Sequence, residues 1–574
     1  MGKFIHNQNS FALGEISPEF FARGDLAVAA RGLSRLENMD VLASGAISRR
    51  PALARIAAAD TDAVLIPFSI SDSENYLLAL SDGHIKIYDG QNFIQNLIAP
   101  WNAEALRSLQ YAQRFGTMIF VHPDFQPQVL KKDGSIFSLT PFDFSTNDDM
   151  SRNMPFMKFD DAANIKITVT TSSMGNSFAT FTTQAPFWTP ENVNGRLLAL
   201  NRQWTIYQYV SPTVIIVSTN GTYTLPGAPV SDWREAAFGV RRGWPRSITF
   251  HQDRLVFGGS REWPCGVWMS RVGDHHNFSV GTGLDDEAIF LTLLSSARQQ
   301  ICTVVSSDNL QILTTAGEWA ISAKPLTPST IDIRQHTSAG SVSEIYLPPQ
   351  KIDRGTVFVS KGGTEIREMV LDELGENYNA PNLCALAAHL INDPVDLAYN
   401  DRLRQLFIVM TDGSMAVLNK NSALEISAWG SYKTLGQFKS VAVMNGETFV
   451  TVTRAGDTFI EKFDAGEALD SGEFGFSHTA AAMPLFAGGN APKKIRVHKI
   501  SARVLDTKSL FINQRRAKLP NEIYAAGEPG FSGDVAVGML GTTMDTINPL
   551  WTITGSEPLP LSVLSIAVEG WYLI

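Results

Sequence analysis

"NYLLALSDGHIKIYDG", residues 75–90, consists of an apolar strand, a polar turn that contains Asp-Gly, and a second strand in which apolar and polar residues alternate. Such period-two runs, joined by a turn with Asp-Gly, Gly-Gly or Ala-Gly, are typical of a β-hairpin. Six further segments have the same design, at 116–134, 253–271, 309–322, 355–370, 404–420 and 447–464. The chain is therefore a succession of hairpins, and this repeat decides the fold.

The spacing of the seven hairpins favours a β-propeller. Equivalent positions are separated by 41, 137, 55, 46, 50 and 42 residues, taken at Leu77, Met118, Leu255, Leu310, Thr356, Leu406 and Thr448. Five of these six steps are close to the length of one four-stranded blade. Short apolar stretches before most copies supply a further strand, at 64–70, 247–252, 301–307, 395–400 and 439–445. A sandwich or a β-solenoid stays open, although solenoid repeats are shorter and sandwiches seldom contain seven hairpins.

The long step of 137 residues equals one blade plus an insertion of about 90 residues. We assign this insertion to residues 155–235, where Thr, Val and Ile alternate with polar residues, as in a small antiparallel β domain. The predicted fold is mainly β. It consists of an irregular β-propeller of about seven or eight blades (61–154 and 236–479), the inserted domain, and a platform that combines the N-terminal segment (1–60) with C-terminal strands (480–574).

Composition excludes several classes of protein. The 574 residues carry a net charge of −10, whereas a surface that neutralises nucleic-acid phosphates needs clustered Lys and Arg. Cys265, Cys302 and Cys384 form no CxxC pair and no even-numbered framework, which argues against a zinc site and against a disulfide scaffold. No segment has the pattern of a signal peptide or of a membrane span, so we expect a soluble chain synthesised in the cytoplasm.

Catalytic signatures such as GxSxG, the P-loop and HExxH do not occur in the sequence. Asp285, Asp286 and Glu287 could supply the carboxylates of a glycosidase, but adjacent carboxylates point to different sides, and we favour a helix N-cap or a solvated loop. His275 and His276 are direct neighbours, a spacing that rarely ligates one metal, so a structural role in a turn is favoured. We therefore expect no enzyme activity, no cofactor and no metal.

The segment 11–53 precedes the first repeat and belongs to no blade. It opens with a Gly-Glu-Ile-Ser-Pro turn and closes on a Gly followed by Arg-Arg-Pro. Asp25 can cap a helix from Leu26 to about Leu42, with an apolar face of Leu26, Ala29, Ala30, Leu33, Leu36 and Met39. An apolar stripe of this kind is also typical of ordinary core. We interpret the segment as an assembly element that joins the C-terminal strands.

These segments resemble a family of structural proteins from the virions of tailed bacteriophages. The N-terminal part of the resemblance lies at 14–18, 23–26, Asn38, and Gly45 followed by 49–51. The resemblance is densest in "GWPRSITFHQDRLVFGGS", "VWMSRVGDHHNFSVGTGLDDEAI" and "TTAGEWAIS", and it continues in "RQHTSAGS", "FVSKGGTEIRE" and "PLPLSVLSIAVEG". It covers most of the chain outside the insertion, and none of its motifs is a catalytic signature.

The group is similar in arrangement to the tail nozzle, or tail tubular protein B, of short-tailed phages. The resemblance implies a hexameric ring below the tail adaptor, built on a β-propeller, whose lumen conducts DNA without sequence-specific binding. Tail fibre or spike proteins are further partners that it implies. An acidic chain suits a lumen that repels the phosphate backbone. We assign candidate assembly contacts to Glu15, Pro18, Arg23, Asp25, Leu33, Leu36, Asn38, Arg49, Arg50 and Pro51.

Two other functional classes stay open. A carbohydrate-active propeller enzyme would need carboxylates from different blades that converge in a central pocket. A receptor-binding module would need an aromatic-lined groove at an exposed tip, and Trp188, Trp204 and Tyr207 of the insertion are the candidates for it. Six-fold assembly with large subunit interfaces would favour the DNA conduit.

Overall fold

A computed structural model describes residues 3–21, 30–375, 377–485, 494–520, 529–545 and 548–573. The chain divides into two compact units, of which the first comprises Met1–Asn96 with Leu347–Ile574 and the second Leu97–Tyr346. Regular structure in the described ranges is nearly all β-strand. The helical elements there are one α-helical turn, α1 (Ala103–Leu106), and 3-10 turns at Pro18–Phe20, Asp160–Ala162, Pro190–Asn192, Ala388–Leu390 and Ser422–Leu424.

The N-terminal segment forms short strands. They are β1 (Lys3–Gln8), β2 (Gly14–Glu15), β3 (Gly32–Glu37), β4 (Met39–Val41), β5 (Ile47–Arg49) and β6 (Ala52–Ala59). The predicted helix from Leu26 to about Leu42 is therefore wrong over its described part, since residues 32–37 and 39–41 are strands; residues 22–29 lie outside the described residues.

The helical spacing of Leu33, Leu36 and Met39 has a different cause. The pairing of β3 with its neighbour shifts register between Leu33 and Arg35, so one extra residue lets both Leu33 and Leu36 face the core. Asn38 has a φ of +54°, which breaks the strand and returns Met39 to the buried side. A bulge and a kink thus reproduce the spacing that a helix would give.

The first two blades follow directly. The first blade contains β7 (Val64–Ser71), β8 (Glu74–Ser81), β9 (His84–Asp89) and β10 (Asn92–Ile98), and the second contains β11 (Gln110–Arg114), β12 (Thr117–His122), β13 (Phe125–Asp133) and β14 (Ile136–Pro141). Each is a four-stranded antiparallel sheet in which consecutive strands are neighbours.

The inserted domain is one seven-stranded sheet in the second unit. Its strands are β15 (Phe156–Met157), β16 (Ile167–Thr171), β17 (Phe178–Thr183), β18 (Arg196–Ala199), β19 (Arg202–Ser211), β20 (Val214–Ser218) and β21 (Trp233–Ala236). The spatial order is β15-β21-β18-β19-β20-β17-β16. Alternate residues face a core that includes Phe181, Trp188, Trp204 and Trp233. The insertion is thus an antiparallel β domain between two blades.

The remaining blades lie beyond the insertion. The third blade contains β22 (Ser247–His251), β23 (Arg254–Gly258), β24 (Gly266–Met269) and β25 (Ile289–Thr292), and the fourth contains β26 (Ile301–Ser306), β27 (Leu310–Thr314), β28 (Gly317–Ile321) and β29 (Ile333–Thr337). The fifth blade contains β30 (Gln350–Ile352), β31 (Gly355–Val359), β32 (Ile366–Leu371) and β33 (Tyr378–Asn379). The sixth blade contains β34 (Pro394–Asn400), β35 (Gln405–Met410), β36 (Met415–Asn421) and β37 (Ile426–Tyr432). The seventh contains β38 (Gln437–Met444), β39 (Glu447–Arg454) and β40 (Asp457–Asp464), completed by β6.

The fold is that of a β-propeller, and the prediction of about seven or eight blades is confirmed: the described part of the chain contains seven blades of four strands, six of them separate sheets and the sixth blade the first four strands of a ten-stranded sheet. Blades one, five, six and seven belong to the first unit, apart from the last two residues of β10, and blades two, three and four to the second. Each hairpin read from the sequence is the second and third strand of a blade. The short apolar stretches before them are first strands.

The seventh blade is closed by the N-terminal strand β6. β6 pairs antiparallel with β40 from Ala59 opposite Thr458 to Ala52 opposite Asp464. Leu53 of β6 is fully buried in the core that the sixth and seventh blades share. Part of the segment 1–60, predicted to belong to the platform, is therefore a blade strand.

Hydrogen bonds link successive blades in the first unit. The Asp396 carboxylate of β34 accepts the hydroxyl proton of Ser440 at 2.5 Å and the N–H of Val441 at 2.9 Å. Ser440 in turn accepts the N–H of Leu65 in β7 at 3.0 Å. Loss of solvation raises the pKa of this carboxyl to about 6. The sixth, seventh and first blades are thus held in register at their first strands.

The platform combines both ends of the chain within the first unit. Its C-terminal strands are β41 (His478–Ala482), β42 (Lys494–Thr507), β43 (Phe511–Ile512), β44 (Arg515–Arg516), β45 (Phe531–Asp545), β46 (Thr552–Gly555) and β47 (Ser562–Leu573). One sheet has the order β4-β5-β47-β42-β45, with β1 also paired to β47. The sixth blade continues through β37-β2-β3-β41-β46-β43-β44. Phe11, Leu36, Trp551 and Val568 lie in the core between these sheets.

Truncation of Leu53 tests whether β6 belongs to the last blade. Leu53→Ala should lower the free energy of unfolding by about 2–5 kcal/mol, because a fully buried leucine is lost. Leu374→Ala is the matched control, since Leu374 is 83% exposed and its truncation should change stability by less than about 0.5 kcal/mol. Urea unfolding followed by circular dichroism measures both, and equal effects would contradict the packing of β6.

Candidate functional site

The Gly-Glu-Ile-Ser-Pro turn is built into the sheet that extends the sixth blade. β2 runs parallel to β3 and to β37, with Gly14 opposite Trp429. Gly14 has a φ of +62°, and a Cβ at this position would lie 2.3 Å from the Trp429 carbonyl oxygen, so only glycine fits. The Glu15 carboxylate accepts the N–H of Leu36 at 2.7 Å. The turn therefore serves as an intramolecular joint.

Ser17, His389 and Glu15 form a hydrogen-bonded chain at this joint. Ser17 Oγ lies 2.8 Å from His389 Nδ1, and His389 Nε2 lies 2.9 Å from Glu15 Oε1. This connectivity is that of a hydrolase triad. However, Ser17 is 0% exposed, its N–H donates to the Leu386 carbonyl at 2.7 Å, and its hydroxyl also accepts the N–H of His389. No substrate carbonyl can reach the hydroxyl, so the three residues act as a clamp.

Arg50 forms a buried ion pair with Asp470. Its Nη1 and Nη2 donate to the two carboxylate oxygens at 3.1 and 2.8 Å, and neither side chain is more than 1% exposed. Nε donates to Asn38 Oδ1 at 2.9 Å, and the guanidinium lies 3.7 Å from the centre of the Phe476 ring. Asn38 Oδ1 also accepts the N–H of Lys433 at 2.8 Å. The pair joins β5, the end of the sixth blade and the turn after the seventh.

The structure separates the other predicted assembly residues by exposure. Leu33 and Leu36 are fully buried in the platform core. Pro18 is exposed at the start of the first 3-10 turn. Arg23 and Asp25 lie outside the described residues.

Arg49 and Pro51 flank the buried arginine. The Arg49 guanidinium lies 4.0 Å from the centre of the Phe476 ring, and its Nη2 donates to the Ala468 carbonyl at 2.9 Å. Burial, followed by the neighbouring Arg50 charge, lowers the pKa of Arg49 to about 10. The Pro51 carbonyl accepts a hydrogen bond from Arg50 Nη1 at 2.8 Å.

Most of the predicted assembly side chains thus have partners within one copy of the chain. Glu15, Leu33, Leu36, Asn38 and Arg50 are buried by the chain's own segments, so another subunit cannot reach them. These residues join parts of a single chain in this structure. Pro18 and Arg49 keep exposed surface.

Arg254, within the resembling stretch 243–260, has a similar structural role. It is fully buried and donates to the carbonyl oxygens of Ser270 at 2.8 Å, Glu287 at 2.6 Å and Asp285 at 2.7 Å. Burial lowers the pKa of this guanidinium. Arg254 therefore fixes the loop between β24 and β25 to the third blade.

The acidic cluster lies in this same loop. The Asp286 carboxylate pairs with Arg271, and both side chains are about half exposed. The Glu287 carboxylate accepts the N–H of Gly283 at 2.6 Å. Asp285 contributes its carbonyl to Arg254. The cluster is a solvated loop at which no helix begins, as one of the two sequence interpretations held.

His275 and His276 also stabilise turns. His275 Nε2 lies 2.6 Å from Arg114 Nη1. His276 stacks on Phe142, with ring centroids 4.8 Å apart, and its Nδ1 lies 2.7 Å from the Asp143 carbonyl oxygen. The two imidazoles therefore have separate partners.

The described ranges contain neither a candidate metal site nor a candidate membrane span. No group of three or more His, Cys, Asp or Glu side chains there could hold a metal ion. No described helix is long and apolar enough to cross a membrane. Cys302 and Cys384 are buried, Cys265 is partly buried, and all three are free thiols.

A cavity of about 380 Å³ lies at the base of the inserted domain, within the second unit. Its volume falls in the range of small-molecule sites. The apolar walls include Phe142, Phe144, Met154, Leu197, Phe238 and Trp244. Four arginines and three acidic residues line the polar part: Arg152, Arg196, Arg241, Arg242, Asp143, Glu191 and Glu235.

Three of these arginines have carboxylate partners. The ion pairs are Arg152–Asp143, Arg241–Asp161, Arg241–Glu235, Arg242–Asp161, Arg242–Glu235 and Arg242–Glu262. Arg196 is half-buried, and no described residue forms a hydrogen bond or an ion pair with its side chain. Burial and the nearby Arg152 charge lower the pKa of Arg196. Arg196 is thus a guanidinium without an acceptor at the edge of a cavity.

Sequence reasoning missed Asp470, His389 and Arg196. Asp470 is 420 positions from Arg50 and His389 is 374 from Glu15, so no local pattern connects the partners. For Arg196 a partial signal exists, because the alternation of β18 places it on the face opposite the buried Leu197. The alternation predicts on which face of the sheet Arg196 lies, but it does not predict that a cavity borders this face.

Comparisons with known proteins leave the family open. No family model and no curated protein matches the chain. Similar solved structures include the computationally designed Ika8 protein (11% identity, 75% of this chain, 100% of that chain, TM-score 0.33). Another is the β-propeller domain of Cps50 (Swd1) from Myceliophteria thermophila (9% identity, 73% of this chain, 100% of that chain, TM-score 0.36). A third is the WD40 domain of Pan2 from Neurospora crassa (10% identity, 72% of this chain, 96% of that chain, TM-score 0.29). With TM-scores below 0.5, these likenesses support no functional conclusion.

Removal of the Arg50 charge tests the joint. Arg50→Met should lower the free energy of unfolding by about 3–5 kcal/mol, because it leaves the Asp470 carboxylate buried without a positive charge beside it. Arg503→Met is the control, since the Arg503–Asp534 pair is 60% and 64% exposed and solvent screens its attraction, so this variant should unfold like the wild type. Denaturant unfolding measures both. Similar losses in the two variants would show that the buried pair is not a constraint.

His122 gives the protein an acid-sensitive element. It is buried, with Nε2 2.9 Å from Ser108 Oγ and with Nδ1 accepting the N–H of Asp124 at 3.1 Å. Burial lowers the pKa of His122 to about 4. Because the ordinary value is 6.5, the unfolded chain binds the proton first as the pH falls. The neutral imidazole therefore stabilises the fold above pH 6.5, and this contribution is lost as the pH falls towards 4.

His122→Gln should flatten the pH dependence of stability. Between pH 6.5 and 4 the variant should lose roughly 3 kcal/mol less unfolding free energy than the wild type, since the titrating group is gone. Denaturant titrations at several pH values between 4 and 7 measure the difference. Parallel profiles for variant and wild type would contradict the assignment.

Proposed function

We propose that this protein is a structural component of a phage tail. Six copies form a nozzle ring that conducts DNA during ejection and connects the tail adaptor to the distal tail parts. The protein is a virion component and not an enzyme. The observation that carries the proposal is the role of the resembling motifs, which serve as joints between segments.

The N-terminal motif illustrates this role. Only glycine fits at position 14, next to the Trp429 backbone. Ser17 and Glu15 hold the His389 ring between them, and the buried Asp470 carboxylate holds Arg50. In the second unit, Arg254 likewise fixes a loop. A tail component has to remain rigid while DNA passes, and joints of this kind provide rigidity. These motifs therefore support a structural function.

The platform supplies two different surfaces for assembly. β1 and β45 lie at opposite margins of one sheet, because β47 pairs with β1 on one side and with β42 on the other, and β45 pairs with β42. Margins of sheets are ready templates for strand pairing. A contact between two different surfaces of successive copies closes into a ring when the rotation fits. We assign the subunit contact to these margins.

Exposed apolar side chains accompany both margins. Ile5 of β1 is 57% exposed and Leu540 of β45 is 87% exposed. Leu540 lies where β45 gains extra residues against β42, between the pairs Gly538–Lys499 and Thr542–Val497. It has a φ of +51°, and it projects from the sheet. An apolar residue in this position suits burial against a neighbouring subunit.

The two alternative functions have less support. Of the aromatic residues considered for receptor binding, Trp188 and Trp204 are at most 2% exposed and belong to the core of the inserted domain. Tyr207 is 53% exposed. For a carbohydrate-active enzyme, the acidic cluster is held in one loop by Arg271 and Arg254. A receptor-binding module would need these tryptophans at an exposed groove, and a carbohydrate-active enzyme would need carboxylates from different blades.

Mass and shape test the ring. Purified protein combined with tail-adaptor complexes should form rings of about 377 kDa, six times 62.8 kDa, visible by electron microscopy and light scattering. The protein should also be present in purified virions by mass spectrometry. A monomer both alone and on adaptor complexes would overturn the proposal.

A charged residue at the platform margin tests the subunit contact. Leu540→Asp should reduce ring formation by at least about tenfold, because a carboxylate would be buried at the interface. Leu374→Asp, which replaces a leucine that is 83% exposed on the fifth blade, should assemble like the wild type. Normal rings with Leu540→Asp would refute the margin contact but not the ring itself.

A further inference from the structure

The cavity at the base of the inserted domain combines aromatic walls with a guanidinium that has no acceptor among the described residues. Phe142, Phe144 and Trp244 provide flat apolar surface around a volume of about 380 Å³. Arg196, the first residue of β18, lines the same space. Ligand sites in proteins typically combine apolar walls with a small number of polar groups that point into the pocket.

The other arginines of the cavity are already engaged. Arg242 pairs with Asp161 at 2.9 Å and with the buried Glu235, and it stacks on Phe159 at 4.1 Å from the ring centre. Arg241 pairs with Asp161 at 3.0 Å. These contacts fix the two guanidinium groups and neutralise their charge. They form a rigid wall beside Arg196.

Arg196 differs from them in having no acceptor among the described residues. Its half-buried position removes part of its hydration and the Arg152 charge repels it, and both effects lower the pKa of Arg196. An anion placed there would relieve both effects. The planar fork of a guanidinium fits a carboxylate, a sulfonate or a phosphate through two parallel hydrogen bonds.

We propose that this cavity is a binding site for a small organic anion, with its charged group on Arg196 and a flat apolar body against Phe142, Phe144 and Trp244. The aromatic rings provide stacking surface for such a body. Every residue named here belongs to the second unit of a single chain, so the site is complete within one copy.

Two fluorescent probes separate charge recognition from apolar binding. 1-Anilinonaphthalene-8-sulfonate carries a sulfonate, and N-phenyl-1-naphthylamine is its neutral counterpart. The wild type should bind the sulfonate at least about tenfold more tightly than the neutral probe in fluorescence titrations. Arg196→Met should abolish this preference. The control Arg202→Met should retain it, because Arg202 lies on the neighbouring strand and donates to the Thr222 carbonyl.

A steric variant locates the probes in the cavity. Gly239 lines the cavity, and a Cβ added there meets no atom within 4 Å, so Gly239→Leu can fold and fill the space. This variant should lower the affinity for both probes by about tenfold or more. Gly227→Leu is the matched control, since Gly227 also has open space around its Cβ position and is not part of the cavity wall.

Three results would overturn the proposal. They are a wild type without saturable binding of the sulfonate, a preference that survives in Arg196→Met, and wild-type affinities in Gly239→Leu. Loss of the preference in Arg196→Met together with weak binding of both probes to Gly239→Leu supports it. Circular dichroism of each variant verifies that the fold is retained.

Discussion

The buried pair of Arg50 and Asp470 is the contact on which the architecture of the first unit depends. Burying two charges costs several kcal/mol per ion, which is recovered only when geometry and hydrogen bonds are complete. Here they are complete: the carboxylate accepts two bonds from the guanidinium, one from the Leu53 N–H and one from the Thr434 hydroxyl. The guanidinium donates its remaining three bonds to Asn38 Oδ1 and to the carbonyl oxygens of Pro51 and Lys433. The pair is therefore stable only when β5, the sixth blade and the turn after the seventh blade are all in place. Folding of the N-terminal segment is thereby coupled to closure of the last blade.

The same use of charged residues recurs along the chain. Arg254 satisfies its guanidinium with backbone carbonyls, and Glu15 is held by His389 and by the Leu36 N–H. Each of these groups connects segments that are distant in sequence, and each is buried or half-buried at a joint. Because these side chains are engaged at joints inside the fold, a ligand or a subunit has to contact other surfaces. The margins of the platform and the cavity at Arg196 are the surfaces that meet this condition.

The blades could be predicted from sequence because their information is local. A hairpin such as residues 75–90 shows both its strands and its turn within sixteen residues, and repetition makes the pattern redundant. The N-terminal helix could not be excluded in this way. Leu33, Leu36 and Met39 have helical spacing only because a bulge and the left-handed Asn38 alter the phase of a strand. The pattern of apolar residues reveals neither the bulge nor the left-handed residue. The segment is a strand because it pairs with β41 and β37.

The candidate sites show the same division. By itself the sequence determined a chain of β-hairpins with blade spacing, an insertion in one long step and a distinct segment at each end, because strand periodicity and turn chemistry act over a few residues. Only the tertiary structure decided that β6 closes the seventh blade, that Arg50 meets a carboxylate 420 positions away, and that Arg196 borders a cavity. These facts depend on which distant segments are brought together, and the side chains concerned carry no local signal of their partners.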